Sequence, residues 1–523
     1  MIMKKIFTLL ALVCCSLSVL AENYKCNLAV WVNNTAADPQ QMNISATKQG
    51  DGKYTLELKN FILYTEGSPL AVGNITVTDI EATSENGDDA ISTKQGITIT
   101  AGDAEGIAES DWMGPMLCLA AGGSIDITLN GTISSTGILS AELGIPFAGM
   151  MDIKVMIKSS DAFQIPNSGF EEWHTATSGT KTSDEPNAWH SFMSCTGSLA
   201  SAVSGTPHTF IADDVRPGAT GSKSVRVESA LVFGQSANGT ITTGRLQAGS
   251  ISAANAKNCS FLDLSKTDKD ANGDPFYAVL GGHPDAIMLW VKYLPGANDN
   301  LNATVSAVVT DGTYYQDPED KEYTNVVAKA QKADIAKNGG EWQKIEVPFT
   351  YTDGQIDPKA VLVTISTCAT PGGGSKDSAK PDVLYVDDFS LVYNSKLNDV
   401  KFFGQSVEDF SGEQNNYNVT LGAMPTEADI TYVGAGKGTF AIASISGKTV
   451  TLTSMSEDYM EKNVYEFNIT VDPTLNIGNV KNANNSKVVN VYNINGQQMN
   501  NTDNAGVYII RKADGTTKKV IKK

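Results

Sequence analysis

Along most of the chain, apolar and polar residues alternate one by one. Tyr54, Leu56 and Leu58 interleave with Thr55, Glu57 and Lys59, and Ile125, Ile127 and Leu129 with Asp126, Thr128 and Asn130. Val361, Val363 and Ile365 repeat the pattern, as do Val450 and Leu452. A period of two sends successive side chains to opposite faces, so each stretch predicts a half-buried β-strand. Turn dipeptides punctuate the runs: Asp51-Gly52, Asn86-Gly87, Asn130-Gly131, Asp311-Gly312, Asp353-Gly354 and Asn495-Gly496. Each predicts a hairpin. The exception is "NVVAKAQKADIAKN", Asn325 to Asn338, whose pattern suits a helical insertion or a loop. The expected fold class is all-β.

The alternation breaks at "KSSDAFQIPNSG", near Asp161, at "YNSKLNDVKFFG", near Ser395, and in the polar "VDPTLNIGNVKNANNSK". A chain of 523 residues exceeds one hydrophobic core. The breaks divide it into residues 22–160, 165–394, 395–472 and 485–523, after a leader over residues 1–21. That leader carries Lys4 and Lys5, an apolar run from Ile6 to Leu20, then Ala21. It reads as a signal peptide with Glu22 as the mature start; lipidation at Cys15 is the rival, disfavoured by Cys14 before it. No later stretch suits a transmembrane segment, so the expected protein is exported, either secreted or held at the cell surface or outer membrane.

Composition narrows the partners. With 39 basic against 58 acidic residues the net charge is −19, which argues against nucleic acid. Removing the leader leaves Cys26, Cys118, Cys195, Cys259 and Cys368, too sparse a set for a disulfide framework; Cys26 and Cys118 either pair inside the first unit or are buried thiols. Nucleophile-elbow, phosphate-loop and zinc-protease motifs are missing from the sequence, so binding is favoured over catalysis, with glycan cleavage still open.

Four resemblances follow from particular residues. "DGKYTLELKNF" with "VGNITVTDIEA" resembles calycin-like domains, which implies an antiparallel barrel able to hold a small apolar ligand; "MGPMLCLAAGG", Met113 to Gly123, would line its cavity or belong to its core. "IPNSGFEEW", "WHSF", "GSKSVRVES", "ANGTITTGRL", "DPFYAVLGGHPDAIMLWVKYLPG" and "LYVDDFSLVY" occur in an order that resembles the carbohydrate metabolism domain of exported bacterial proteins. That likeness implies a jelly-roll sandwich akin to carbohydrate-binding modules. "FSGEQNNYNVTL" and "NVYEFNITVD" resemble a cadherin-like sandwich, and the tail with Gly506-Val507-Tyr508-Ile509 resembles a type IX secretion sorting domain.

Two sites are expected in the central unit. Glu171 and Asp388, from acid pairs on its first and last stretches, would hold a structural calcium ion, since clustered carboxylates suit a hard cation. "DKDANGD", Asp268 to Asp274, starts like a calcium loop but has Val279 where a bidentate Glu belongs, so it reads as a polar turn. Sugar rings stack on aromatic faces, which nominates Tyr314, Tyr315, Trp189 and Tyr277 as carbohydrate-binding residues. All four histidines fall in this unit at arbitrary spacings. The expected function is non-catalytic carbohydrate binding at the cell surface. Ligand capture by the barrel and a purely adhesive role are the alternatives.

Overall fold

The computed structural model describes residues 21–65, 68–147, 151–298, 301–475, 481–482, 488–493, 497–499, 505–512 and 517–522. The expected signal peptide with Cys15, apart from Ala21, and the Asn495-Gly496 turn lie outside these residues. The chain forms two compact units. One combines the chain up to Ser160, Ser395–Ala435 and everything from Phe440 onward; the other combines Asp161–Asn394 with Gly436–Thr439.

The first unit begins with eight long strands: β1 (Ala21–Val32), β2 (Gln40–Lys48), β3 (Tyr54–Thr65), β4 (Ser68–Glu85), β5 (Asp88–Ile97), β6 (Ile125–Ile133), β7 (Leu139–Phe147) and β8 (Met151–Ser159). Each pairs antiparallel with the next, and β8 closes on β1 from Cys26↔Ser159 to Val32↔Ile153. The result is a closed eight-stranded barrel, which abolishes sheet edges. Its inward positions are filled by side chains such as Leu28, Ile44, Leu56, Ile80, Ile127 and Leu143.

One expected turn fails here, and the core alternative for another stretch holds in part. Asn130-Gly131 does not turn; it lies within β6, paired on one side with Ser92 and Ile91 and on the other with Glu142 and Ala141. A Cβ on Gly131 would lie 2.5 Å from the Ser140 carbonyl oxygen, so the glycine permits close strand approach. The Met113–Gly123 stretch is mostly a helix, α1 (Met113–Ala120), which buries Gly114 and Cys118 and leaves Met116 and Leu119 exposed. Cys118 Sγ accepts the Ile99 N–H, and Cys26 and Cys118 both belong to the barrel core.

The second unit starts with a hairpin, β9 (Trp173–Ser178) and β10 (Lys181–Pro186). Two larger antiparallel sheets follow. One runs β11 (Thr209–Ala212), β12 (Ser224–Glu228), then Val383–Val392, Ala286–Leu294 and Gln343–Pro348. The other runs β13 (Thr240–Thr242), then Ala360–Ser366, Ala303–Thr310 and Val326–Ile335. The residues doubted as helix thus form a strand that pairs with Ala303–Thr310. Their Ala, Lys and Gln favour a helix locally, but burial of Val326, Ala328 and Ala330 on one face decides the outcome.

Both ends of this unit meet. The Tyr393 hydroxyl donates to the Phe163 carbonyl at 3.0 Å, and their rings stand edge to face at 5.3 Å. Gln164 both donates to the Leu391 carbonyl and accepts its N–H.

The chain returns to the first unit with Asn416–Leu421 parallel to Lys462–Val471, and with Phe440–Ser446 and Thr449–Met455 antiparallel beside them. Tyr417, Phe402, Tyr465 and Phe467 form the core here. The outward side chains Ala29 and Trp31 of β1 are covered by Met455, Phe440, Ile442 and Tyr459. Lys462 and Asp38 close an ion pair at 2.8 Å beside them. Val488–Asn493, Gly506–Lys512 and Thr517–Lys522 form a small antiparallel sheet.

Candidate ligand-binding site

The two acid pairs, Glu171-Glu172 and Asp387-Asp388, lie near the two ends of the second unit. "IPNSGFEEW" is a tight turn, not the start of a strand, which begins only at Trp173. Asn167 and Phe170 both take positive φ, at 50° and 56°. The Asn167 side chain donates to the Glu172 and Asn187 carbonyls and accepts the Glu172 N–H, which fixes the turn. Glu171 is thereby aimed at the segment after Arg216, where it accepts the N–H groups of Ser222 and Lys223 at 3.0 and 2.9 Å. Asp388 pairs with Arg216 Nε at 2.5 Å, and Asp387 accepts the Arg216 N–H at 2.9 Å. Both ends of the unit therefore hold one loop through charge-assisted hydrogen bonds, with protein donors on the two acids expected to take calcium.

A bulge decides which acid of the second pair faces inward. The register between Ala286–Leu294 and Val383–Val392 shifts between Met288 and Trp290, and Asp388 has φ +44°. This bulge turns Asp387 inward, 1 % exposed, while Asp388 stays partly open. Burial pushes the Asp387 carboxyl up, with the Arg216 N–H opposing it.

Of the expected sugar-stacking residues, Trp189 and Tyr315 are fully buried, so neither offers a face to a sugar: Tyr315 is corrected, and for Trp189 the core alternative holds. Trp189 packs between Phe170 and Phe389 and donates Nε1–H to the Pro166 carbonyl. Tyr315 joins the cluster of Leu262, Val308 and Leu362, against which Tyr277 also packs half-buried. Tyr314 keeps 38 % of its surface exposed, and its hydroxyl donates to Gln316 Oε1.

A different place offers a concave site. A pocket of about 390 Å³ opens over the sheet that contains β13. Its floor is written by strand register. Thr240, Ser366 and Thr304 form one row, because Ser366 faces both others across neighbouring strands. Thr364, Ser306 and Gln331 form the next. Gln331 Nε2 donates to Ser306 Oγ at 3.0 Å, and Thr240 Oγ1 to Ser366 Oγ at 3.2 Å.

Leu246, Val203 and Phe192 supply apolar wall, and Phe233 and Ile251, both strongly exposed, form part of the lining. Asp317 stands beside Ser306; burial pushes its carboxyl above the usual range, with the Ser306 contact opposing. Ser236 Oγ and Asn238 Oδ1, both of pocket-lining residues, are buried without hydrogen-bond partners. Such a surface, polar on its floor and apolar on its walls, takes a ligand with many hydroxyls and some C–H faces. Tyr314, Tyr315, Trp189 and Tyr277 are not among the lining residues.

Among the described residues no helix is long and apolar enough to cross a membrane. The family of calycin-like beta-barrel domains matches residues 20–158. No curated protein sequence matches the chain. Among solved structures, a carbohydrate-binding module of the beta-sandwich superfamily is 8% identical with TM-score 0.20, covering 59% of this chain and 100% of its own. A candidate outer membrane protein of Bacteroides fragilis is 10% identical with TM-score 0.17, covering 66% and 96%. A beta-1,2-glucanase of Parabacteroides distasonis is 12% identical with TM-score 0.17, covering 51% and 35%. At such scores these likenesses carry no functional conclusion. The chain is an all-β multidomain protein whose N-terminal domain is a calycin-like barrel.

Proposed function

We propose that the second unit binds carbohydrate, without catalysis, in the pocket over the β13 sheet, and that the protein works outside the inner membrane. The observation that carries the reading is the double row of hydroxyl and amide side chains under an apolar wall. A sugar offers alternating donors and acceptors to such a floor and C–H patches to Phe233 and Ile251. The ordered motifs resembling a carbohydrate metabolism domain lie in the same unit, and the leader supports export.

The test is a glycan-array screen of the whole protein, followed by titration of the best ligand. Phe233→Ala with Gln331→Ala should weaken binding by about tenfold or more, roughly 1.4 kcal/mol, with the circular dichroism spectrum unchanged. Tyr314→Ala serves as the contrast; if it alone removes binding, the site lies at Tyr314 and not in the pocket. Retention of no glycan by the folded protein refutes the reading. For export, Edman sequencing of protein recovered from the cell exterior should begin at Glu22, and an acylated Cys15 would replace that cleavage site.

A further inference from the structure

Four titratable side chains converge inside the second unit, and none of them lines the pocket. His174 Nε2 lies 3.5 Å from Asp270 Oδ2 and 3.9 Å from Glu185 Oε2. His190 Nε2 lies 3.5 Å from the same Asp270 oxygen. The side chain of His174 is 9% exposed, and those of Glu185, Asp270 and His190 are 0% exposed. All four of these atoms are buried without a well-formed hydrogen bond, Asp270 Oδ2 having only the long contacts to the two histidines. A single orphaned buried polar atom is costly, and four aimed at one another ask for something that satisfies all of them.

The remaining atoms of three of these groups are already engaged. His174 Nδ1 lies 3.1 Å from Asn187 Oδ1, an atom that only accepts, so the proton on Nδ1 is engaged there and Nε2 is the nitrogen that faces the interior. Glu185 Oε1 accepts the Ser191 N–H at 2.7 Å and the Ser194 hydroxyl at 3.1 Å, leaving Oε2 for the interior. Asp270 Oδ1 accepts the N–H groups of Asn272 and Asp274 at 2.9 and 2.8 Å, leaving Oδ2. Outer contacts of this kind orient the ligands of metal centres. His190 Nδ1 is buried without a partner as well.

We propose that His174 Nε2, His190 Nε2, Asp270 Oδ2 and Glu185 Oε2 bind one divalent transition-metal ion of the zinc class. Two imidazoles and two carboxylates suit a borderline ion, and four protein ligands make a closed, structural site. Tetrahedral bonds of the usual length put neighbouring donors about 3.4 Å apart, close to the two shorter separations. In the present arrangement no three His, Cys, Asp or Glu side chains among the described residues are placed to hold a metal ion. The ion therefore has to draw them inward, chiefly Glu185, and the convergence of orphaned atoms is the reason to expect that it does. The ligands come from three places: His174 and Glu185 face each other across β9 and β10, His190 bridges to Thr242, and Asp270 sits in the turn closed by its N–H to the Asp274 carbonyl. The ion would staple the hairpin to the body of the unit.

The experiment uses untagged full-length protein, stripped with chelator and then titrated with Zn²⁺ or with Co²⁺ as a coloured substitute. Expected are one ion per chain, a visible tetrahedral Co²⁺ spectrum, and a Tm rise of about 5 °C or more at 100-fold excess over Kd. His174→Ala and, separately, His190→Gln should remove the spectrum and the Tm rise. If His190→Gln fails to fold, His174→Ala decides alone. Folded protein that takes up no ion, or uptake unchanged in the variants, overturns the proposal. So does a Tm that follows pH but not metal, which would mean that the histidines share a proton with the carboxylates.

Discussion

Asp89 shows how much one carboxylate can set at the residue scale. Lys48 donates to it at 2.6 Å, and the hydroxyls of Tyr54 and Ser84 donate as well. These three hold its carboxyl at about 2, below the ordinary 3.8, against the opposing effect of burial. The folded value lies below the unfolded one, so the stabilisation is fully present above about pH 4 and is lost as pH falls toward about 2. Urea midpoints of the barrel measured from about pH 5 down to pH 2 should fall, and Asp89→Asn should flatten that slope. Glu171 and Asp388 make a second case. With their donors supplied by Ser222, Lys223 and Arg216, Arg216→Ala should cost about 1 kcal/mol by removing the guanidinium from Asp388, while the backbone N–H of residue 216 stays on Asp387. Adding calcium to metal-stripped protein should then leave Tm unchanged. A calcium-dependent rise abolished by Asp388→Ala would restore the ion between these acids.

At the scale of elements, packing tolerances decide more than propensity. A Cβ on Gly114 would lie 2.2 Å from Ile99 Cγ2 and 2.5 Å from the Val72 carbonyl oxygen. Gly114→Ala should therefore push α1 off the barrel wall and destabilise it by about 1–3 kcal/mol, read from thermal or urea unfolding. Barrel strands were legible because one face of each is buried, which imprints period two on Tyr54–Leu58 and Ile125–Leu129. The facing of Asp387 and Asp388 was not, since one bulged residue inverts the alternation beyond it. Likewise the pocket rows Thr240–Ser366–Thr304 and Thr364–Ser306–Gln331 depend on cross-strand register, to which a single strand is blind. The available signal was that "GTITTG", "TVSAVVT" and "VLVTIS" place hydroxyls, not charges, on their polar faces. The convergence of His174, His190, Glu185 and Asp270 left even less trace, as their spacing follows from a hairpin, a bridge and a turn.

For the whole molecule, the continuous burial from Asn27 to Trp31 in β1 is the telling feature. A barrel strand with a wet outer face would alternate; this one is covered on both sides, with Met455, Phe440, Ile442 and Tyr459 over Ala29 and Trp31. Nothing near β1 in sequence signals a cover supplied from so far along the chain. A chain stopped after Asn394 should expose Trp31, seen as red-shifted tryptophan emission and as binding of a hydrophobic dye; unchanged emission would mean that the cover is dispensable. The meeting of Phe163 and Tyr393 has a different consequence, in the history of the gene. A segment whose two ends touch can enter or leave an open reading frame without stretching what flanks it. Its departure would take away Asp285, the acceptor of the Lys437 N–H. The central unit is therefore laid out as an insertion, one whose exchange at a single locus would leave the segments on either side of it joined end to end.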